Sequence, residues 1–213
     1  MNELESPPRI GVLAIQGDYE AHADALRKFG AVPSLVKTKE ALAGLDGLVM
    51  PGGESTTMLK FLLQNGFLEA LRTFAGQKPV FGTCAGAILL AKEVRNPSQP
   101  SLASLDIAVE RNAYGAQRDS AILMLDTELP GGPMETVFIR APRIVAVNEK
   151  ATPKVEVLAS RDGFPVLVRQ GDIFAATFHP EMSADNRVHQ LFVETVKEAR
   201  RKSSELSTAE SSK

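Results

Sequence analysis

Cysteine is nearly absent from this chain of 213 residues, because Cys84 is the only one. A single cysteine cannot form an internal disulfide, so the chain is not a disulfide scaffold. A cluster of several cysteine thiolates around a metal ion is excluded for the same reason, and we expect no metal and no other cofactor. Histidine is almost as scarce, and the three histidines are His22, His179 and His189. A site that pairs cysteine with histidine must therefore use Cys84 and one or more of these three histidines.

Tryptophan is absent, and two tyrosines stand against ten phenylalanines. The sequence shows no aromatic platform of the kind on which single-stranded nucleic acid stacks. The formal net charge of −2 gives no overall field that would attract nucleic acid or an anionic membrane. The most apolar uninterrupted run, at residues 85–91, is far shorter than the roughly 20 residues that cross a bilayer. We expect neither a nucleic-acid partner nor a membrane partner.

The amino terminus is acidic and lacks the basic and apolar regions of a signal peptide. The hydrophobic share of 44% and the charged share of 23% are close to the average for globular proteins, so a core of normal size can form. The length suits one domain. We therefore predict a cytoplasmic protein with a flexible lead at residues 1–8, one domain at 9–200 and a disordered, Ser-rich tail at 201–213.

Apolar runs of strand length alternate with amphipathic segments over the first 92 residues. Strands are predicted at residues 10–15, 32–36, 48–50 and 80–82, and helices at 19–29, 55–63, 67–75 and 85–92. Asp18 is a candidate cap for the first helix, and Ser55 or Thr56 for the second. This alternation is typical of a parallel sheet with helices on its faces.

The region that follows contains many short apolar segments with turn residues between them. Strands are predicted at residues 107–110, 121–125, 136–139, 144–147, 155–160, 166–169 and 173–178, and a final helix at 187–200. Asp162-Gly163 and Gln170-Gly171-Asp172 are typical of hairpin turns. We expect these strands to be antiparallel and either to extend the sheet or to form a small added layer. The predicted fold class is α/β, with three layers and a mostly parallel sheet flanked by helices.

The segment VFGTCAG at residues 80–86 contains the clearest chemical signal. Gly82 and Gly86 each lie two residues from Cys84, in a G-x-C-x-G form of the nucleophile elbow. Glycine is needed there because the turn brings backbone against backbone, where a Cβ would clash. The sulfur would lie at the carboxyl end of a strand and at the start of a helix, which favours thiolate. A lone cysteine is more often a small buried residue, but the flanking glycines favour a nucleophile.

A thiol nucleophile requires a nearby imidazole. His179 follows the apolar strand predicted at residues 173–178, and Glu181 comes two residues later. In an extended segment these two side chains would project to the same side, so the carboxylate could orient the imidazole. We predict that Cys84 is the nucleophile, His179 its base and Glu181 the orienting residue.

The other two histidines fall at amphipathic positions of predicted helices. For His22 and His189 we favour a structural role in the core over a catalytic one. Arg111 and Arg140 are candidate clamps for a carboxylate, since guanidinium binds carboxylate with two hydrogen bonds. Spacing alone favours a surface or structural role for each arginine.

A second glycine turn, MPGGES at residues 50–55, follows another predicted strand. Backbone N–H groups of Gly52 or Gly53 could converge with that of Ala85 on an oxyanion. A phosphate-binding loop is the weaker alternative, because a Walker motif has a lysine after its last glycine and Glu54 stands here instead.

These motifs resemble those of the class I glutamine amidotransferases. Within that family, the sequence is similar to the glutaminase subunits of pyridoxal 5′-phosphate synthases over roughly residues 9–200. The strings that carry this closer resemblance are LAIQGD at 13–18, PGGEST at 51–56, GTCAG at 82–86, RNAYG at 111–115, FIRAP at 138–142 and TFHPE at 177–181.

The resemblance implies hydrolysis of L-glutamine to L-glutamate and ammonia through a thioester on Cys84. It implies that Gln16 helps to assemble the oxyanion site, and that a (β/α)₈ synthase subunit in a hetero-oligomer activates the glutaminase and takes its ammonia. The implied glutamine contacts are Gly53, Glu54, Ser55, Arg111, Ile139 and Arg140.

Three alternatives stay open on the sequence. The chain could be the glutaminase of another synthase, although the strings between residues 111 and 142 favour pyridoxal phosphate synthesis. A cysteine peptidase or chaperone with the same elbow is less compatible with the HPE string at residues 179–181. A non-catalytic regulatory module could have lost Cys84, His179 or Glu181 freely, and all three are present.

Overall fold

The computed structural model describes residues 6–113 and 120–210. The strands in this part of the chain are β1 (Arg9–Leu13), β2 (Val32–Val36), β3 (Gly47–Met50), β4 (Val80–Thr83), β5 (Ala91–Arg95), β6 (Leu105–Glu110), β7 (Ala121–Leu125), β8 (Met134–Phe138), β9 (Arg143–Val147), β10 (Val155–Arg161), β11 (Phe164–Gln170) and β12 (Ile173–Ala176). The α-helices are α1 (Tyr19–Arg27), α2 (Ser55–Leu62), α3 (Phe67–Ala75), α4 (Ala85–Leu90) and α5 (Arg187–Glu210).

A seven-stranded sheet in the order β10-β11-β12-β4-β3-β1-β2 forms the centre of the fold. The five strands from β12 to β2 are parallel, and β11 and β10 continue the sheet antiparallel to them. In the middle of this sheet, β4 is paired with β3 on one side and β12 on the other, and both pairs are parallel. The carboxyl ends of β3, β4 and β12 therefore meet at one edge.

Helices cover both faces of the sheet and give the predicted three layers. One core contains buried side chains of α2, α3 and α4, and the other contains those of α1 and α5. Phe81 on β4 belongs to the second core, where its ring packs 5.7 Å from that of Phe192 on α5. The predicted α/β class with a mostly parallel sheet is confirmed.

Two smaller sheets lie beside this framework. Strands β5, β6 and β9 form one, and the hairpin of β7 and β8 forms the other. The expected antiparallel strands thus both extend the central sheet and form added layers.

Helix α4 is shorter than predicted. It ends at Leu90 because Ala91 takes an extended conformation with φ −59° and ψ 143°. The chain continues at once as β5, in which Val94 is buried and pairs with Val109 of β6. The apolar run had suggested a helix through residue 92, and this prediction is wrong at its end.

The carboxyl-terminal helix is longer than predicted. Helix α5 continues to Glu210, so residues 201–210 are helical and do not form the disordered tail that the serines suggested. Extending an already packed helix costs less than starting one, which explains how a polar segment can follow it. Residues 211–213 lie outside the described residues, as do residues 1–5 of the predicted flexible lead.

The start of the described chain is anchored to α5. The Arg200 guanidinium donates hydrogen bonds to the backbone oxygen and to Oγ of Ser6, at 2.8 and 3.1 Å. Pro8, at the end of the predicted lead, is buried, and its oxygen accepts a hydrogen bond from the Val32 N–H.

Candidate active site

The turn between β4 and α4 has the geometry of a nucleophile elbow. Cys84 lies between the strand and the helix with φ 48° and ψ −103°. This positive φ is rare for a residue with a side chain, and such strain concentrates at functional sites. The Cys84 N–H donates to the Ala176 oxygen of β12 at 2.8 Å, which ties the turn to the neighbouring strand.

Glycine is required on both sides of the cysteine. A Cβ on Gly82 would lie 2.6 Å from the backbone carbon of Gly86, and a Cβ on Gly86 would lie 2.0 Å from the Met50 oxygen of β3. Real Cβ atoms do not approach backbone this closely. The two glycines therefore allow α4 to start directly above the sheet with Cys84 at its edge.

His179 reaches the site from the segment that follows β12. Two backbone hydrogen bonds hold this segment: Thr177 N–H donates to Val166 of β11, and His179 N–H donates to Val137 of β8, both at 2.8 Å. The imidazole lies close enough to the Cys84 side chain for that side chain to raise the pKa of His179. The predicted nucleophile and base are thus brought together by two adjacent parallel strands.

Glu181 contacts His179 through a different local structure from the one predicted. Residues Pro180–Met182 form a 3₁₀ turn and not an extended segment. Even so, Oε1 of Glu181 lies 2.7 Å from Nδ1 of His179. The carboxylate is nearly completely buried, with 1% of the side chain exposed. The predicted contact is present, but the extended geometry used to predict it is wrong.

Charge and burial compete at these two residues. Burial alone would lower the pKa of His179, but its interactions with Cys84 and Glu181 outweigh burial and raise that pKa. Burial alone would raise the pKa of Glu181, but the hydrogen bond with His179 and the close approach of His22 hold it well below its usual range. The site therefore favours an ionised carboxylate beside a protonated imidazole, which is the arrangement that stabilises a thiolate.

A cavity of about 430 Å³ opens over the cysteine. It is lined by the three predicted catalytic residues, by Gly52 of the predicted oxyanion site and by all six predicted glutamine contacts: Gly53, Glu54, Ser55, Arg111, Ile139 and Arg140. The structure thus brings distant parts of the sequence to one cavity at the carboxyl ends of the strands, which is where open α/β sheets bind ligands.

The predicted oxyanion residues divide into two groups. Gly52 and Gly53 line the cavity, and Gly53 has a φ of 137° that favours glycine. Gln16 and Ala85 are not among the lining residues. Gln16 lies behind the glycine turn, where its Oε1 accepts a hydrogen bond from the Glu54 N–H at 3.0 Å. Ala85 is fully buried at the start of α4.

Glu54 caps helix α2, a role that the sequence had suggested for Ser55 or Thr56. Its carboxylate accepts hydrogen bonds from the Thr56 and Thr57 N–H groups at 3.1 and 2.7 Å. Burial alone would raise its pKa, but these hydrogen bonds lower it to about 2. Glu54 is therefore ionised at neutral pH.

The two predicted arginines have different environments. Arg111 is mostly buried, and its Nη2 donates to Oγ1 of Thr56 at 2.6 Å and lies 3.3 Å from Oε1 of Glu54. Arg140 is exposed and has a φ of 46°. Both arginines line the cavity. Residues 114–119, which follow the Arg111 motif, lie outside the described residues.

The sequence interpretation missed a contact of His22. Its Nε2 lies 3.3 Å from Oε2 of Glu181 and 3.3 Å from Oγ1 of Thr83, the residue before the nucleophile. The position of His22 on an amphipathic helix predicts burial but not which residue it meets, so only the packing of α1 reveals this contact.

Two features that the sequence did not lead us to expect are a metal site and a membrane-spanning helix. In residues 6–113 and 120–210, no three or more histidine, cysteine or acidic side chains are grouped so that they could hold a metal ion. Within the same ranges, no helix is both long enough and apolar enough to cross a membrane.

Comparison with known proteins decides the family. Residues 12–198 match the model of the SNO glutamine amidotransferase family. The chain belongs to this family. A pyridoxal 5′-phosphate synthase subunit PdxT from Koribacter versatilis is 58% identical over 89% of this chain and 96% of its own length. A subunit of the same name from Thermotoga maritima is 48% identical over 89% of this chain and its entire length.

Solved structures agree with this membership of the SNO family. A crystal structure described as a glutamine amidotransferase has a TM-score of 0.80 and 45% identity, covering 88% of this chain and 98% of that one. A structure described as PurLQS from Thermotoga maritima has a TM-score of 0.59 at 17% identity, covering 91% of this chain and 97% of that one. The second likeness shows the fold alone.

Proposed function

We propose that Cys84, His179 and Glu181 hydrolyse L-glutamine to L-glutamate and ammonia in this chain, which is a glutaminase of the pyridoxal 5′-phosphate synthase type. The observation that carries this proposal is the arrangement of the three side chains. The thiol of Cys84 interacts with the His179 imidazole, Nδ1 of that imidazole lies 2.7 Å from the buried Glu181 carboxylate, and all three residues line one cavity.

The first half of the reaction forms a thioester. The Cys84 thiolate attacks the carboxamide carbon of glutamine, and the carbonyl oxygen takes the negative charge. When the tetrahedral intermediate collapses, the carbon–nitrogen bond breaks, and the leaving amine takes a proton from the His179 imidazolium and departs as ammonia. Glu181 stabilises the imidazolium before this transfer.

The second half of the reaction hydrolyses the thioester and restores the thiolate. His179, now neutral, takes a proton from water, and the resulting hydroxide attacks the thioester carbon. The carbon–sulfur bond breaks, the new γ-carboxyl group releases its proton to solvent as glutamate leaves, and Cys84 and His179 return to the thiolate–imidazolium pair. Each half passes through an oxyanion, for which backbone N–H groups of Gly52, Gly53 and Ala85 are the proposed donors.

The proposed role of Gln16 is indirect. It holds the glycine turn through the Glu54 N–H, which lies next to Gly53 in the chain. A change in this hydrogen bond would alter the direction of the neighbouring peptide groups and so the number of donors that face the oxyanion.

The charges around the cavity suit a free amino acid. Arg111 and Arg140 supply positive charge for the α-carboxylate of glutamine, and the ionised Glu54 supplies negative charge for its α-ammonium group. We place Ser55 and Ile139, which also line the cavity, against the substrate chain.

The relatives named as synthase subunits support a partner for this chain. We propose that a (β/α)₈ synthase subunit docks on the glutaminase in a cytoplasmic hetero-oligomer, receives its ammonia and builds pyridoxal 5′-phosphate. Docking would activate glutamine hydrolysis, because ammonia released without an acceptor is wasted.

Ammonia release from L-glutamine tests this function. The wild-type chain and Cys84→Ala should be assayed alone and with the synthase subunit from the same organism. We expect release by the wild-type chain to rise at least about tenfold on adding the synthase subunit, and Cys84→Ala to be inactive while still binding that subunit. Full activity of Cys84→Ala would contradict the proposed chemistry, and absence of both binding and stimulation would contradict the proposed partner.

A further inference from the structure

Two buried histidines lie behind the carboxylate of the triad. His22 on α1 and His189 on α5 are both fully buried, and Nδ1 of His22 lies 2.9 Å from Nε2 of His189. On its other side, Nε2 of His22 lies 3.3 Å from both Oε2 of Glu181 and Oγ1 of Thr83. His22 therefore connects the orienting carboxylate with the residue that precedes the nucleophile.

The surroundings of this pair are closed and apolar. The ring of Phe81 on β4 packs edge-on against both imidazoles, at centroid distances of 6.4 Å to His22 and 5.9 Å to His189. Oε2 of Glu181 forms no hydrogen bond of good geometry in the part of the chain that the structure describes, although it lies 3.3 Å from Nε2 of His22. An ionised oxygen without a partner in such a place would be costly, so the contact with His22 matters.

The geometry indicates which ring nitrogen of His22 carries the proton. If His22 carried its proton on Nδ1, the lone pair on Nε2 would face the Glu181 carboxylate. The proton is therefore placed on Nε2, where it faces the carboxylate, and Nδ1 of His22 becomes an acceptor for the N–H of His189.

His189 completes this arrangement. Burial lowers its pKa to about 3, so it is neutral at pH 7 and carries one N–H. Its Nδ1 has no hydrogen-bond partner among residues 6–113 and 120–210. Unpaired buried N–H groups are rare, which places the proton on Nε2, the nitrogen that faces His22.

We propose that His22 is a positioning residue for glutamine hydrolysis: its Nε2–H holds Oε2 of Glu181, and this fixes the carboxylate that orients His179. The inference rests on the proposed function, because it requires that Glu181 orients His179 during glutamine hydrolysis. The titratable groups that face His22 are Glu181 and His189, and the charge of Lys28 acts on His189 from the end of α1.

A pair of substitutions separates positioning from simple packing. His22→Leu removes the donor with similar bulk, whereas His22→Gln keeps an N–H donor near the place of Nε2. With the synthase subunit present, we expect kcat of His22→Leu to fall roughly tenfold, the effect of one hydrogen bond to a charged group, with KM within about twofold. His22→Gln should recover most of that loss. Wild-type kcat in His22→Leu, or equal losses in both variants, would overturn the proposal.

A spectroscopic measurement does not depend on whether these variants fold. The nitrogen-15 shifts of the three imidazoles in the full-length wild-type chain report which ring nitrogen carries the proton. We expect the Nε2–H form for both His22 and His189 at pH 7. An Nδ1–H form of His22 would overturn the proposal.

The two proposals can fail separately. Should Cys84→Ala keep its activity, the proposed reaction is wrong whatever the histidine protonation states are. Should Cys84→Ala be inactive while His22→Leu keeps wild-type kcat, the reaction stands and only the role of His22 is wrong.

Discussion

Glu181 is the residue on which the protonation of the site depends most. It is almost fully buried, contacts His179 through one oxygen and His22 through the other, and its pKa is held low by these contacts. A neutral side chain of the same shape would keep the contacts but lose the charge that stabilises the imidazolium.

Glu181→Gln should therefore lower kcat by about 10²- to 10⁴-fold, with a much smaller change in KM. Steady-state ammonia release with the synthase subunit measures this effect. The matched control is Glu135→Gln, because Glu135 is a nearby carboxylate that accepts a hydrogen bond from Ser183 and contacts neither His179 nor Cys84 in the described structure. Equal losses in both variants would contradict the role of Glu181.

For single residues, the sequence predicts which side chains are reactive better than it predicts which side chains they contact. Cys84 is recognisable because two glycines flank it at fixed spacing, and His179 and Glu181 because they are close together in the chain. His22 is not recognisable, since its contact with Glu181 exists only after α1 packs against the turn at Pro180–Met182. Long-range contacts of this kind leave no local pattern.

The elbow between β4 and α4 is the element on which the nucleophile depends. A methyl group on Gly86 would overlap the Met50 oxygen, and backbone cannot move aside as a flexible side chain can. Overpacking typically costs about 1–3 kcal/mol, and a clash with backbone falls at the upper end of that range, about 3 kcal/mol.

Gly86→Ala should lower the free energy of unfolding by about that amount and remove most of the activity. Urea unfolding followed by circular dichroism measures the first, and ammonia release the second. Gly76→Ala is the control, because Gly76 has a φ of −74° and the nearest atom to an added Cβ would be 3.5 Å away. Unchanged stability of Gly86→Ala would contradict the described elbow.

The cap of helix α2 predicts a dependence of stability on pH. The folded-state pKa of Glu54 is about 2, below its ordinary value of 4.5. Its contribution to stability is therefore fully present above pH 4.5 and is lost as the pH falls toward 2.

Glu54→Gln should thus be less stable than the wild-type chain by about 1 kcal/mol at most at pH 7, since the side chain is half-exposed and a lost cap has this magnitude. The difference should shrink when urea unfolding is repeated at pH 3. A difference that grows toward low pH would contradict the cap.

Element types were predictable from the sequence more reliably than element ends. The bounds of β2, α3 and β7 are those predicted, because capping or turn residues mark them. The predicted carboxyl-terminal ends of α4 and α5 are wrong for opposite reasons. After α4, the chain forms strand β5 because it can pair with β6. At the end of α5, the polar residues 201–210 stay helical because they extend a helix that is already packed.

The whole molecule shows why the site could be predicted only in outline. The alternation of strands and helices indicates a parallel sheet, and the site follows from the rule that ligands bind at the carboxyl ends of its strands. The pairing of β12 with β4, which brings His179 to Cys84, joins segments far apart in the chain. No local signal specifies that pairing.

The proposed activation by a partner also concerns the whole molecule, because a second subunit would complete a site that already contains the three side chains. We expect such control at the glycine turn, which the side chain of Gln16 holds through the Glu54 N–H.

Covalent labelling of Cys84 tests the central claim most directly. The full-length chain with the synthase subunit is treated with a glutamine analogue that carries an electrophilic diazoketone, and the product is located by peptide mass spectrometry. We predict one adduct, on Cys84, that excess L-glutamine prevents and that His179→Gln slows. Labelling confined to other residues, with ammonia release unimpaired, would contradict the account.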